Sequence, residues 1–368
     1  MRLSGSFPHN FLPTAPGQEH LKELLYRAIE NGRIASTYLF RGNICLGKFA
    51  FALDFVRWVK CENPTTCAGE CRSCRLITKL DHPDLEVVVP LTTEIEDKPE
   101  KIADVMASMA ENPFAFQYFD KKPKIGIDAI RGLNERIALS SSSAGGRWTI
   151  VRDADMMTLE ASNAFLKTLE EPPEDAHIIL TSSRPDFLLP TILSRSQSLQ
   201  FKRLSRSKIA GFAVKMGKSA SEADALALSA DGSLAPIFKA EDEVAVKAKE
   251  LAENLWAVMF TESDPRALDL AEEIGKDASL VKAVFDEAVS FFRDHLMAQI
   301  GKSELVVNTQ TAERIALAAQ KFPNSERISR LIDYLNERAQ DLMFYPQYDL
   351  FIMATVIEGR KILHGEIF

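Results

Sequence analysis

Phe40-Arg41-Gly42-Asn43-Ile44-Cys45-Leu46-Gly47-Lys48-Phe49 has the spacing of a phosphate-binding loop: Gly42, four residues, then Gly47 and Lys48. In such loops successive backbone N–H groups wrap an anion, a lysine reaches the outer phosphates, and a Ser or Thr after the lysine holds Mg²⁺. Tyr38-Leu39-Phe40 ahead of the loop reads as an apolar strand and the residues after Lys48 as a helix, the context that the motif requires. Position 49 is phenylalanine, which offers no metal ligand. The loop is therefore either a working nucleotide site with one residue changed or a turn kept for the fold.

Outward from the loop, strand-like runs alternate with helical ones. Leu85 to Val89, Ile125-Gly126-Ile127, Trp148 to Val151 and Ile178 to Thr181 are short and apolar, and with Tyr38-Leu39-Phe40 they predict a mostly parallel sheet covered on both faces. Leu21, Leu24, Leu25 and Ala28 lie at helical spacing and stop at Asn31-Gly32. Thr92 to Lys124 is polar and of mixed charge, and is expected to be a surface insertion with one helix. Ser140 to Gly146 reads as a loop. The strand ending at Val151 delivers Asp153, where an acidic residue holds Mg²⁺ in nucleotide-hydrolysing proteins. Ala154 follows where a water-activating Glu would stand, and Asp155 is expected to be a solvated loop carboxylate. The next helix, from near Thr158, is stopped by Pro172-Pro173.

With 368 residues, 46% hydrophobic and 26% charged, the chain can fill more than one core and is not of disordered composition. No apolar run reaches the ~20 residues of a membrane span, and Met1 to Gly17 has no apolar signal core, so a cytoplasmic protein with no membrane partner is expected. A net charge of −8 excludes a surface that is polyanion-binding throughout.

Four of the five cysteines, Cys61, Cys67, Cys71 and Cys74, form C-x₅-C-x₃-C-x₂-C, with Pro64, Gly69 and Ser73 supplying turns. Four thiolates close a tetrahedral Zn²⁺ shell with no open position, so a structural zinc is expected. Such ligation can supply on the order of 10 kcal/mol of folding free energy. Cys45, in the loop, is expected to be a packed or free thiol.

Ala164-Phe165-Leu166-Lys167-Thr168-Leu169-Glu170-Glu171-Pro172-Pro173, followed by Leu193-Ser194-Arg195, resembles the signature of bacterial clamp-loader subunits, AAA+ proteins of the DNA polymerase III holoenzyme. The resemblance runs from Gly17-Gln18-Glu19-His20 through the cysteines, His82-Pro83-Asp84 and Ile127-Asp128-Ala129-Ile130-Arg131 to about residue 204. It implies an α/β AAA+ P-loop core with a parallel sheet over residues 1–203, including a four-cysteine zinc module at 61–74. A small helical lid over 204–240 and an all-α collar over 241–368, where subunits oligomerise, would follow. The family's usual cysteine spacing is C-x₈-C-x₂-C-x₂-C, so Cys61 is the ligand whose place needs testing.

Departures from the family's active loop, roughly G-P-x-G-x-G-K-T, sort the chain within it. Asn43 replaces Pro, Cys45 the middle Gly and Phe49 the Thr; Asp153-Ala154-Asp155-Met156 replaces Asp-Glu-x-His. A Gly-Ser-Leu-Arg-like motif has become Gly232-Ser233-Leu234-Ala235. These losses match the delta-prime group, many of which do not hydrolyse ATP, better than the ATP-hydrolysing gamma/tau group. Gly42, Gly47, Lys48 and Asp153 are then a degenerate nucleotide site, and ATP hydrolysis by this chain is not expected. The resemblance assigns Arg195, in Ser194-Arg195-Ser196, as an arginine finger acting on ATP bound by a neighbouring subunit. It also implies gamma/tau and delta subunits, the sliding clamp, and primed DNA as partners of the assembled complex. An active gamma/tau-type ATPase and a non-catalytic interaction scaffold stand as alternatives.

Beyond Leu204, apolar residues at three and four spacing predict helices over 245–259, 268–274, 280–297, 311–321 and 328–343. No paired-carboxylate, Ser/His/Asp or Cys/His arrangement appears there.

Overall fold

A computed structural model describes residues 12, 14–114, 121–230, 232–239, 243–261, 265–308, 311–342 and 346–365. Its elements up to residue 200 are, in chain order, α1 (Glu19–Glu30), β1 (Thr37–Arg41), α2 (Lys48–Lys60), α3 (Arg72–Thr78), β2 (Leu85–Val88), α4 (Thr93–Glu96), α5 (Pro99–Glu111), α6 (Ile127–Ile137), β3 (Arg147–Val151), α7 (Leu159–Glu170), β4 (Ala176–Ser182), α8 (Pro190–Ser194) and β5 (Gln197–Gln200). Then come α9 (Arg206–Lys215), α10 (Ala220–Ser229), α11 (Ala235–Lys239), α12 (Glu243–Met259), α13 (Arg266–Gly275), α14 (Ala278–Gln299), α15 (Ala312–Lys321), α16 (Ser325–Asp341) and α17 (Tyr348–His364). Residues 12, 14–114, 123–223, 230 and 232–235 form one compact unit; 121–122, 224–229 and the described residues from 236 onward form another.

The first unit is built on a parallel sheet of order β2-β3-β4-β1-β5. Alternation along β1 sends side chains to opposite faces. Tyr38 and Phe40 join an aromatic layer with Phe51 and Phe55 of α2, Trp148 and Phe201, in which Phe40–Phe51 and Phe51–Phe201 meet edge-on at 5.7 and 5.1 Å. Leu39 joins the opposite core, made with Ile130 and Leu133 of α6, Phe165 and Leu169 of α7 and Ile192 of α8. Each fully buried side chain of this kind contributes about 1.5–3 kcal/mol, and aromatic pairs add about 0.5–1.5 kcal/mol.

Four of the expected strands are present, and the fifth differs. Residues 125–127 make no sheet strand: Ile125 forms a single bridge to Met157, and Ile127 already opens α6. The fifth strand is β5, whose Gln-Ser-Leu-Gln sequence buries only Leu199, so it carries no apolar run to betray it. Among its described residues, the insertion between Thr92 and Lys124 holds two helices, α4 and α5, where one was expected.

In the second unit α14 is central, with Val281, Val284, Phe285, Ala288, Phe291 and Phe292 all buried. The five expected helices correspond to α12 through α16, and α17 is additional. Its apolar residues run nearly all round, burying Ile352, Val356 and Leu363 while exposing Leu350 and Ile357, so no single stripe marks it. Among the described residues, no helix is long and apolar enough to cross a membrane.

Candidate phosphate-loop, cysteine and arginine sites

Both loop glycines are required by geometry. Gly42 has φ 149°, and a Cβ there would lie 2.7 Å from the Phe201 carbonyl oxygen; Gly47 has φ 77°, and its Cβ would lie 2.9 Å from the Phe114 ring. Cys45, at φ 53°, takes a left-handed conformation that a β-carbon disfavours. Lys48 turns back on its own loop, donating from Nζ to the carbonyl oxygens of Gly42 and Asn43, both at 2.7 Å. Burial pulls its pKa down, with the nearby Asp153 opposing. Phe49 is buried, and the Arg152 guanidinium lies over its ring at 5.2 Å while Arg152 Nε stands 3.4 Å from Asp153 Oδ2. Burial pushes the Asp153 carboxyl up, against the pull of Arg152. Its N–H donates to Thr181 Oγ1 at 3.0 Å.

The space left is a pocket of about 40 Å³ walled by the loop, Phe114, Arg152, Asp153 and Thr181. It has room for about three waters. The loop's outer edge is also covered: Leu234 N–H donates to the Cys45 carbonyl at 2.9 Å, and Ser233 Oγ to that of Ile44 at 3.4 Å. Ala235 follows with no charge to offer.

Asp155 departs from expectation. It is buried, its Oδ2 pairs with Arg184 Nε at 3.1 Å, and its Oδ1 accepts the Ser183 N–H at 3.3 Å. Residues 154–156 form a short 3₁₀ turn, so strand alternation no longer governs side-chain direction, and the carboxylate ties the end of β3 to the segment after β4.

The four cysteine sulfurs lie within 4.8 Å of one another, Cys61 included, and Cys61 Sγ is 3.9 Å from Cys71 Sγ. Tetrahedral zinc with Zn–S near 2.3 Å sets sulfurs about 3.8 Å apart, so these residues fit the metal. Cys71 caps α3, its sulfur accepting the Cys74 N–H at 3.4 Å. The backbone N–H of Cys71 leads the groups that draw Cys67 down to about 6, whereas burial pushes Cys61 up to about 11 and raises Cys74.

The cysteine segment is tied to the sheet on both sides. Lys60, adjacent to Cys61, places Nζ 2.7 Å from Asp84 Oδ2 with both side chains fully buried. Burial alone would raise the Asp84 carboxyl, but hydrogen bonds from Lys60, Ser142 N–H and Ser143 Oγ hold it far below the carboxylate range. Ser73, between Cys71 and Cys74, contacts His82 Nε2 through Oγ at 3.1 Å.

Arg195 lies elsewhere, at the C-terminal end of α8. Nη2 pairs with Glu170 Oε1 at 2.7 Å and Nη1 donates to the Thr191 carbonyl at 3.1 Å; the side chain is 35% exposed.

Residues 17–205 match the family model described as DNA polymerase III, delta subunit. The chain belongs to the DNA polymerase III clamp-loader family. It is 25% identical over 294 residues to the delta′ subunit of Bacillus subtilis, covering 79% of this chain and 80% of that one. Against the tau subunit of the same organism it is 24% identical over 373 residues, covering 93% of this chain but only 60% of the relative. The delta′ subunit of Pseudomonas aeruginosa is 31% identical over 163 residues, 44% of this chain and 41% of the other. A gamma subunit-related protein of Thermotoga maritima aligns in structure over 92% of this chain and 99% of its own, at 19% identity and a TM-score of 0.44.

Within this clamp-loader chain, Gly47, Lys48 and Asp153 meet at one pocket beside Gly42, the four cysteines converge, and Arg195 stands apart from both. Sequence reasoning missed Phe114, Arg152 and Thr181 around the loop and Glu170 beside Arg195. Arg152 adjoins Asp153 in sequence, but consecutive strand side chains point to opposite faces, so adjacency alone does not announce their 3.4 Å contact.

Proposed function

We propose that this clamp-loader subunit does not hydrolyse ATP and that its Arg195 completes the ATP site of an adjacent gamma/tau-type subunit. The observation that carries the reading is the state of the loop: Lys48 is spent on Gly42 and Asn43 carbonyls, and Phe49 and Arg152 fill the place of a metal-binding hydroxyl. Gly42, Gly47, Lys48 and Asp153 are then the remnant of a nucleotide site. Arg195, by contrast, is charged, forked and partly exposed, as suits a group that stabilises a transferring phosphoryl in trans.

In this reading residues 1–203 are an AAA+ core, 204–240 a lid and 241–368 a collar through which the subunit joins gamma/tau and delta in the cytoplasm. The assembly would load a sliding clamp on primed DNA, touching the DNA through salt-sensitive backbone contacts without sequence preference. Cys61, Cys67, Cys71 and Cys74 would hold a structural zinc that supplies a rigid cross-link. Elemental analysis is expected to find one zinc per chain and to lose it in Cys74→Ala.

Reconstitution with a gamma/tau subunit tests the function. DNA-stimulated ATPase should rise when this chain is added and should not rise with Arg195→Ala. Failure to assemble would favour a scaffold outside replication. The pocket shared by Lys48 and Asp153 is the observation that favours an active ATPase instead. Hydrolysis by the purified chain that Lys48→Ala abolishes would establish that reading.

A further inference from the structure

We infer that Glu170 is a positioning residue for Arg195, holding its guanidinium at the end of α8 with donors left for a phosphate oxygen on an adjacent subunit. This rests on the finger reading of Arg195 and adds a second residue to it. Glu170 is the last residue of α7, where the helix dipole disfavours a carboxylate, so helix stability does not account for it. Nor does the ion pair account for folding, because Glu170 and Arg195 are 47% and 35% exposed, and pairs so solvated contribute little.

What the pair does is geometric. An arginine on a short helix end has many rotamers open to it, and each must be lost when the group is used. The Thr191 carbonyl accepts from Nη1 at 3.1 Å and the Glu170 carboxylate pairs with Nη2 at 2.7 Å, so the fork is approached on two of its nitrogens and keeps other N–H donors over. Both ends are anchored. Phe165 and Leu169 of α7 share a core with Ile192 of α8, and Pro172-Pro173 stop α7 directly beyond Glu171. The backbone that carries Glu170 is therefore held against the backbone that carries Arg195, which keeps the carboxylate within reach of the guanidinium.

The test uses the chain reconstituted with its gamma/tau partner, with ATPase read per assembled complex. Glu170→Ala is expected to lower kcat roughly 10-fold, the scale on which a misplaced catalytic group loses rate, with KM for ATP unchanged. Glu170→Gln keeps a hydrogen-bond acceptor and should restore the rate to within about two-fold. In an Arg195→Ala background, Glu170→Ala should have no further effect, which a general structural defect would not reproduce. A wild-type rate for Glu170→Ala where Arg195→Ala is slow overturns the inference and leaves the finger standing, as does an equal loss in both backgrounds. A wild-type rate for Arg195→Ala overturns the finger and this inference together.

Discussion

The phosphate loop and the end of α8 both present a cation, and they treat it oppositely. Lys48 is buried and bonded to carbonyls of its own loop, and the small pocket beside it is lined by Phe49, Phe114 and Arg152. Arg195 is solvated and held by a single carboxylate and one carbonyl. The sequence motif is fuller at the loop, yet the cation there is the more buried and Arg195 the more exposed. A motif shows which side chains are present, and their hydrogen-bond partners show whether those side chains are still available.

The contrast breaks most directly at Arg195. Arg195→Ala should lower the ATPase of the assembled complex by about 10³-fold, while the urea midpoint of the isolated chain stays put because an exposed ion pair is worth about 0–1 kcal/mol. An unaltered ATPase would remove the distinction between the two cations. At the loop the effects should fall on stability. Phe49→Ala empties a buried ring site and is expected to cost about 3–5 kcal/mol in denaturant unfolding. Phe49→Thr should restore the hydroxyl without restoring hydrolysis, since Ala154 still lacks a carboxylate. Phosphate release from purified Phe49→Thr would show that one residue alone separates this loop from an active one.

Lys48→Met should cost less, about 1–3 kcal/mol for two lost hydrogen bonds from a charged donor, and should leave the ATPase per complex unchanged. It also has a pH signature. Burial holds the folded Lys48 pKa below its unfolded value of about 10.4. Between the two values the unfolded chain binds the additional proton, so stability rises with pH across that window and is constant below it. Lys48→Met should make that rise shallower in unfolding curves recorded through alkaline pH, with buried Lys22, lowered in the same direction, supplying slope that remains. A slope unchanged by the substitution would place the titration on another group.

Much of this was legible in the residue order. β1 through β4, the loop, the Thr158 start and Pro172 stop of α7, and the four cysteines are all set by local spacing, which one-dimensional pattern captures. What escaped depends on distant neighbours. β5 is a strand because Leu199 and its backbone pair with β1, across more than a hundred residues, and not because Gln-Ser-Leu-Gln prefers to be extended. Asp155 is paired with Arg184, and the loop pocket is lined by Phe114 from an insertion that looked like surface. Glu170 and Arg195 meet through the packing of α7 on α8, which neither helix announces alone.

The fully buried pair of Lys60 and Asp84 has a consequence for anyone who would trim this chain. It stands at the two roots of the excursion that carries the cysteines, with Lys60 just before Cys61 and Asp84 just ahead of β2. Shortening the excursion while disturbing one root leaves an unmatched charge in the interior, which typically destabilises by about 3–5 kcal/mol. Replacing both with apolar residues of similar volume could spare that penalty, but would also discard a contact whose direction dictates how the two roots align. The cysteine excursion is thus better regarded as riveted to the sheet than as a removable ornament, and grafting it elsewhere means carrying both rivets with it.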